Sequence, residues 1–190
     1  MPDKQEPLQP LEEKLCEHLG IKPGFIQNML SDSDWGFAIK VHALIEIALT
    51  NLITARFKEP LLLRIISNLE TSSEEGSKLS ILKELKLLAK EHRGFIRQLS
   101  RMRNAFAHDI RKIDSTLDDY CAENPTRANE LRDSIAPLVA DPSSNLAGLS
   151  KTEFLQQHLK LAIIGCVLAM ADGIVKMTID LRAGKTVSLD

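Results

Sequence analysis

The chain has 190 residues, of which 44% are hydrophobic and only 4% aromatic. This length and apolar content suit one globular domain and exclude a disordered chain. Because the core must be built mainly from aliphatic side chains, helix-on-helix packing is favoured over a β-sandwich. The net charge of −2 excludes a generally basic surface, so the composition argues against direct binding of duplex DNA.

The cysteines and the apolar segments predict where the protein resides. Cys16, Cys121 and Cys166 are widely spaced and form no C-x-x-C pair, which predicts reduced thiols rather than disulfides or a zinc site. Residues 1–10 are polar and proline-rich, unlike a signal peptide. The longest uncharged apolar run, residues 161–171, is shorter than the roughly 20 residues that span a bilayer. We therefore expect a cytoplasmic protein without a membrane segment.

Apolar spacing and the positions of proline and glycine predict a series of helices and no strand. The expected helices cover residues 11–19, 23–30, 35–57, 61–69, 78–91, 94–109, 114–123, 126–139 and 151–182, with loops at 71–76 and 141–144. The predicted fold class is therefore all-α, a helical bundle. We expect residues 1–30 to form an N-terminal helical appendage and residues 31–190 the bundle domain.

The predicted last helix, residues 151–182, carries an apolar band wider than a one-sided surface helix needs. It should pack on the helix predicted at residues 35–57 or form an oligomer surface. Asp172 interrupts this band, and the four-residue spacing predicts an ion pair with Lys176.

The helix predicted to end near residue 109 has two distinct faces. At about 3.6 residues per turn, one face collects four apolar residues, Phe95, Leu99, Met102 and Phe106. The opposite face collects four polar residues, Arg97, Arg101, Asn104 and His108, and Arg103 lies between the two faces. A solvated face would be the simplest interpretation, with His108 complementing the helix dipole. However, no lysine or carboxylate occurs between residues 95 and 108, so a functional face competes with that interpretation.

The string Arg103-Asn-Ala-Phe-Ala-His108 resembles the signature of the HEPN superfamily, an arginine and a histidine separated by four to six residues. In that superfamily a polar residue often follows the arginine, as Asn104 does here. The resemblance implies an all-α bundle with the motif near the end of an inner helix. It also implies a homodimer in which two motifs line one cleft, and, for many members, metal-independent ribonuclease activity.

A longer stretch, roughly residues 31–110, resembles the mannitol operon repressor (MltR) family. The resemblance rests on the order of these segments: Ser33-Asp-Trp-Gly-Phe-Ala-Ile-Lys-Val-His-Ala-Leu-Ile-Glu46, the helix ending in Phe57, Gly76-Ser-Lys-Leu-Ser-Ile-Leu-Lys, and the arginine–histidine string. The family name implies transcriptional regulation, but no helix-turn-helix with a basic recognition helix is evident. A regulator of this kind would act through protein partners.

Two functions from different classes follow. In a ribonuclease, His108 would transfer protons to or from the RNA 2′-hydroxyl and the leaving oxygen, because imidazole titrates near neutral pH. Arg103 would stabilise the pentavalent phosphate, and Asn104 would orient the phosphate or His108. In a non-catalytic regulatory or interaction module, the same residues would hold the bundle or a dimer together. Catalysis requires Arg103 and His108 in an open cleft, whereas a scaffold would bury and pair them.

Three further arginines extend the basic surface and are candidate contacts for an RNA substrate. They are Arg97, Arg101 and Arg111.

Glu46 lies in an apolar stretch of the helix predicted at residues 35–57 and needs a partner if buried. An ion pair with an arginine of the motif helix and a supporting role that tunes His108 are both open. His42 lies one turn earlier, but no full ligand set joins it, so we expect neither a metal nor another cofactor.

Overall fold

The structure, a computed structural model, describes residues 9–139 and 149–187. Over these residues the fold is all-helical and contains no strand, which confirms an all-α bundle. The helices are α1 (Gln9–Leu19), α2 (Phe25–Ser31), α3 (Asp34–Phe57), α4 (Leu62–Ser67), α5 (Lys78–Glu84), α6 (Lys90–Ala107), α7 (Leu117–Glu123), α8 (Pro125–Ile135), α9 (Lys151–Gln157) and α10 (Leu159–Arg182). A short 3-10 turn, Ile110–Lys112, follows α6. The loop expected at 141–144 lies outside the described residues.

Helices α3 and α10 make the most extensive helix–helix contact of the bundle. Ser33 caps the start of α3, where its hydroxyl accepts the Gly36 N–H, and Lys58, in the left-handed conformation, caps its end. Both helices are apolar over most of their surface because neighbours cover them on several sides. The predicted packing of the last helix on α3 is thus confirmed.

By length and composition alone, α3 and α10 could each cross a membrane. Their most apolar windows are 67% and 61% buried inside the fold, as core helices of soluble proteins also are. The cytoplasmic location stays a prediction.

Two residues of α10 test how much the α3–α10 core contributes to stability. Ile163 is fully buried, whereas Leu161, on the same helix, is 55% exposed. Ile163→Ala should lower the free energy of unfolding by about 2–5 kcal/mol, because it removes buried methylenes and leaves a cavity. Leu161→Ala should change it by less than about 0.5 kcal/mol. Urea unfolding of both variants measures the difference, and equal losses would refute this packing.

Helix α6 packs on α3 through the apolar face predicted from the sequence. All four residues of that face are buried: Phe95, Leu99, Met102 and Phe106. Near the end of α6, the Trp35 indole Nε1–H donates to the Phe106 carbonyl at 3.1 Å. This bond ties the start of α3 to the end of α6, where the arginine–histidine string lies.

The helix predicted at residues 78–91 was too long, and the break expected at Gly94 is wrong. Helix α5 ends at Glu84, and Lys86 takes a left-handed conformation with φ 53°. That reversal places Leu87 and Leu88 in the core. The next helix, α6, begins at Lys90 and runs through Gly94 without interruption.

The predicted helix at residues 151–182 is two helices. His158 has φ −130° and ψ 40°, outside the helical range, and separates α9 from α10. The bend lets α9 bury Phe154 and Leu155.

Two shorter elements also have corrected ends. Helix α7 begins at Leu117 rather than 114, because the Thr116 hydroxyl and Asp119 carboxylate form a capping box. Helix α8 ends at Ile135, short of 139.

The N-terminal helices contribute to the same core as the rest of the bundle. Leu15, Ile26 and Met29 are fully or almost fully buried within it. Lys14 of α1 also donates to Asp172 of α10 at 2.7 Å, and Lys176 forms the ion pair with Asp172 predicted from spacing. The division of the chain between residues 30 and 31 stays a prediction, although both sides of it bury apolar surface together.

Candidate functional site

The polar face of α6 ends at the arginine–histidine string. His108 is the C-terminal capping residue, and its backbone N–H donates to the Asn104 carbonyl at 3.1 Å. All four predicted residues of this face are exposed: Arg97, Arg101, Asn104 and His108. Arg103 is half-buried, in agreement with its predicted place between the two faces. The string therefore presents its imidazole and amide to solvent and anchors its arginine more deeply.

A cleft of about 270 Å³, here called the motif cleft, opens beside this string. It lies between α3, α6 and the loop that follows α4, and its lining consists mainly of polar side chains. The lining residues are His42, Glu46, Glu70, Thr71, Ser72, Ser100, Arg103, Asn104 and His108. The three residues predicted to be catalytic thus meet in one cleft together with the predicted supporting residue, Glu46.

Arg103 is available to a ligand. Its Nη1 donates to the Asn104 Oδ1 at 2.8 Å, and within the described residues no carboxylate lies close enough for an ion pair. The amide orients the guanidinium without neutralising it. An arginine held in this way retains donors for two oxygens of a phosphate.

The three arginines predicted to contact substrate lie outside the motif cleft. Arg101 pairs with Glu130 at 2.7 Å on the side of α6 that faces α8. Arg111 is bound to both oxygens of Asp109, at 2.9 and 3.0 Å. Arg97 is exposed one turn or more before the cleft.

Glu46 is paired with a lysine, so the expected ion pair with an arginine of the motif helix is wrong. Lys78 Nζ donates to Glu46 Oε1 at 2.8 Å and to the carbonyl oxygens of Leu69 and Ser67 at 2.8 and 3.3 Å. The Lys78 side chain is fully buried, and these three acceptors match its three protons. Lys78 follows the N-cap of α5, and nothing in that local sequence distinguishes it from a surface lysine.

The pair also fixes one wall of the motif cleft. The Thr71 hydroxyl donates to Glu46 Oε1 at 3.0 Å, so the loop after α4 is held against α3. Partial burial alone would raise the pKa of the Glu46 carboxyl, but the Lys78 ammonium and the Thr71 hydroxyl outweigh it and lower that pKa below its usual value.

The lowered pKa of Glu46 makes a prediction about acid stability. The folded chain binds this proton less readily than the unfolded chain, whose glutamate pKa is about 4.3. The stabilisation that the ionised Glu46 carboxylate gives the folded state is therefore complete above about pH 4.3. It is lost as the pH falls through the lower folded-state pKa. Between about pH 6 and 3, the free energy of unfolding should fall less for Glu46→Gln than for the wild type. Parallel curves would contradict the pairing.

His42 and Ser100 form the floor of the motif cleft beneath Arg103. The sequence did not predict that these two polar residues meet at the site. His42 Nε2 lies 3.1 Å from the Ser100 Oγ, and His42 Nδ1 lies 3.8 Å from Glu46 Oε2. Burial lowers the pKa of the His42 imidazole, and the charges of Arg103 and Lys78 act in the same direction while Glu46 opposes them. The contact between His42 and Ser100 thus joins α3 to α6 under the exposed string. The signal for it was the helical register that places His42 one turn before Glu46.

Within the described ranges, no three His, Cys, Asp or Glu side chains are grouped closely enough to hold a metal ion. The side chains that line the motif cleft can transfer protons through imidazole and bind an anion through guanidinium and amide groups.

Comparison of the chain with models of known families, with curated proteins and with solved structures finds no match. The resemblance to the HEPN superfamily and to the mannitol operon repressor family stays a prediction from the residues quoted above.

Proposed function

We propose that the protein is a metal-independent endoribonuclease of the HEPN type, with its active site in the motif cleft. The observation that carries this proposal is the placement of Arg103, Asn104 and His108 in one open cleft, with Arg103 bound by an amide and not by a carboxylate. A purely structural role for the arginine would favour a buried ion pair, of the kind that Lys78 forms with Glu46. The exposed His108 also fits proton exchange with a substrate.

The reaction assigned to the cleft is cleavage by the RNA 2′-hydroxyl. The 2′-oxygen attacks the adjacent phosphorus, its proton passes to the His108 imidazole, and the bond to the 5′-oxygen breaks. Arg103 binds the non-bridging oxygens as negative charge grows on them, and Asn104 holds the guanidinium in place. A second proton is delivered to the departing 5′-oxygen. The products are a 2′,3′-cyclic phosphate and a 5′-hydroxyl.

A homodimer would supply both proton transfers by the same residue type. His108 of one protomer would accept the 2′-hydroxyl proton, and the partner's His108 would protonate the 5′-oxygen. Light scattering should then give about twice the 21.2 kDa of one chain. A monomer at tens of micromolar would leave the second proton to water and contradict the composite cleft.

Purified protein incubated with total RNA in EDTA tests the proposal. The expected result is cleavage of the RNA in EDTA. The same cleavage should be absent from a mock purification that lacks the protein. The alternative is a non-catalytic regulatory module of the MltR type that acts through protein partners. Intact RNA at micromolar protein, together with unfolding losses in Arg103→Ala and His108→Ala, would favour that alternative and contradict the ribonuclease.

A further inference from the structure

A second polar groove runs along the other side of the motif helix. This α6–α8 groove encloses about 600 Å³. Its lining residues are Arg101, Asn104, Ala105, Asn124, Thr126, Arg127 and Glu130. Asn104 lines both this groove and the motif cleft, so the two are adjacent across one side chain. A ligand that fills the motif cleft and extends past Asn104 enters the α6–α8 groove.

The charges of the groove favour an anion. Arg127 is half-buried and, within the described residues, has no ion-pair partner. Arg101 is occupied by Glu130 at 2.7 Å, and both side chains are largely exposed, at 58% and 47%. An exposed ion pair of this kind contributes little to stability. A phosphate can therefore displace the Glu130 carboxylate from Arg101.

An unpartnered donor lies near three of the charged residues that line this groove. The Tyr120 hydroxyl is buried and has no hydrogen-bond partner among the described residues. Burial raises the pKa of Tyr120 to about 12, and the charges that act on it include Arg127, Arg101 and Glu130, all of which line the groove. The hydroxyl therefore remains a donor at neutral pH and lacks an acceptor oxygen.

We propose that the α6–α8 groove is a second phosphate subsite, which binds the phosphate next to the scissile one in a single strand of RNA. The inference rests on the proposed function, because it takes the motif cleft as the place of the scissile phosphate. Arg127 and Arg101 hold the neighbouring phosphate, and Asn104 lies between the two positions. The substrate class is then an oligonucleotide with at least two phosphates, rather than a dinucleoside monophosphate.

The chemistry of the two sites also sets how RNA is recognised. Among the described residues, no Phe, Tyr or Trp lines either the motif cleft or the α6–α8 groove, so stacking of bases on these large rings does not contribute there. Binding through phosphates is insensitive to sequence and falls steeply with salt. We expect similar affinities for oligouridine and mixed-sequence strands of equal length.

The test is the binding of a fluorescent 12-nucleotide single-stranded RNA, followed by anisotropy at several salt concentrations. Arg127→Ala should weaken binding by about tenfold and reduce the slope of log affinity against log salt by about 0.7. Glu130→Gln should act in the opposite direction and tighten binding by roughly two- to fivefold, because it frees Arg101 and removes a repulsive charge. Arg127→Lys should retain most of the salt slope. Arg56→Ala removes an equal charge at the far end of α3 and serves as the matched control.

Competition with short ligands locates the subsite. A trinucleoside diphosphate should compete better than a dinucleoside monophosphate against wild-type protein, and this advantage should shrink in Arg127→Ala. Thermal melts of each variant identify any loss that comes from unfolding, and Arg127→Lys and Glu130→Gln keep the test valid if Arg127→Ala is unstable.

The outcomes separate the subsite from the ribonuclease. Opposite shifts of RNA affinity in Arg127→Ala and Glu130→Gln support the subsite. This holds even if wild-type protein binds RNA without cleaving it, a result that would contradict only the proposed function. Binding that is unchanged in both variants, or changed no more than in Arg56→Ala, overturns the subsite while cleavage in EDTA would still stand. Absence of RNA binding by wild-type protein overturns the subsite outright.

Discussion

Replacement of His108 by alanine is expected to slow RNA cleavage by about 10²–10⁴-fold, the usual effect of removing a positioned acid or base. His108 is exposed at the end of α6, so the variant should unfold within about 0.5 kcal/mol of the wild type. Arg103→Ala should slow cleavage by about 10²–10³-fold, because it removes a donor that meets the developing negative charge. Initial rates on a fluorescent RNA, with thermal melts beside them, measure both effects.

The matched controls remove the same types of side chain at other positions of the chain. His18→Ala on α1 and Arg56→Ala at the end of α3 remove an imidazole and a guanidinium that lie outside the motif cleft. Both should cleave at the wild-type rate. If His108→Ala were as active as His18→Ala, the assigned proton transfer would be refuted.

Replacement of Lys78 by alanine is expected to be the most destabilising single change near the site. The ammonium is fully buried, and its loss leaves the Glu46 carboxylate without its cation and the carbonyls of Leu69 and Ser67 without this donor. Breaking such a pair costs about 3–5 kcal/mol. The value should lie toward the lower end, because Glu46 is 32% exposed and can be hydrated. The melting temperature should fall by roughly 6–20 °C.

Lys83→Ala is the control for this effect. Lys83 lies on the same helix, α5, but is 60% exposed, so its loss should shift melting by no more than about 2 °C. The double variant Glu46→Gln with Lys78→Met should recover part of the loss, because it removes the unpaired carboxylate and fills the space of the lysine stem. Equal melting of Lys78→Ala and Lys83→Ala would show that the buried pair is unimportant.

The parts of the fold that could be predicted were those set by local periodicity. The apolar face of α6 was assigned correctly from spacing, because Phe95, Leu99, Met102 and Phe106 recur at the helical period. The extent of α3 followed from the capping residues before it and an uninterrupted apolar pattern. The exposure of Asn104 and His108 on the opposite face followed from the same geometry.

The parts that could not be predicted depend on contacts distant in sequence. The left-handed Lys86 and the bend at His158 occur at residues without a breaking signal, and each is compensated by burial of neighbouring apolar side chains. Glu46 meets Lys78 across 32 positions of the chain, and Ser100 meets His42 across 58. Local sequence patterns carry no information on such distant pairs. The contacts that form the wall and floor of the motif cleft could therefore be identified only from the structure.

The central claim, that the motif cleft cleaves RNA by way of its 2′-hydroxyl without a metal, is tested most directly with a chimeric oligonucleotide. A DNA strand that contains one ribonucleotide, incubated with wild-type protein in EDTA, should be cut only on the 3′ side of that ribose. The fragments should carry a 2′,3′-cyclic phosphate and a 5′-hydroxyl, and His108→Ala should give neither. Cleavage of the all-DNA strand, dependence on added metal, or an intact chimera under conditions where the protein is folded would contradict the account.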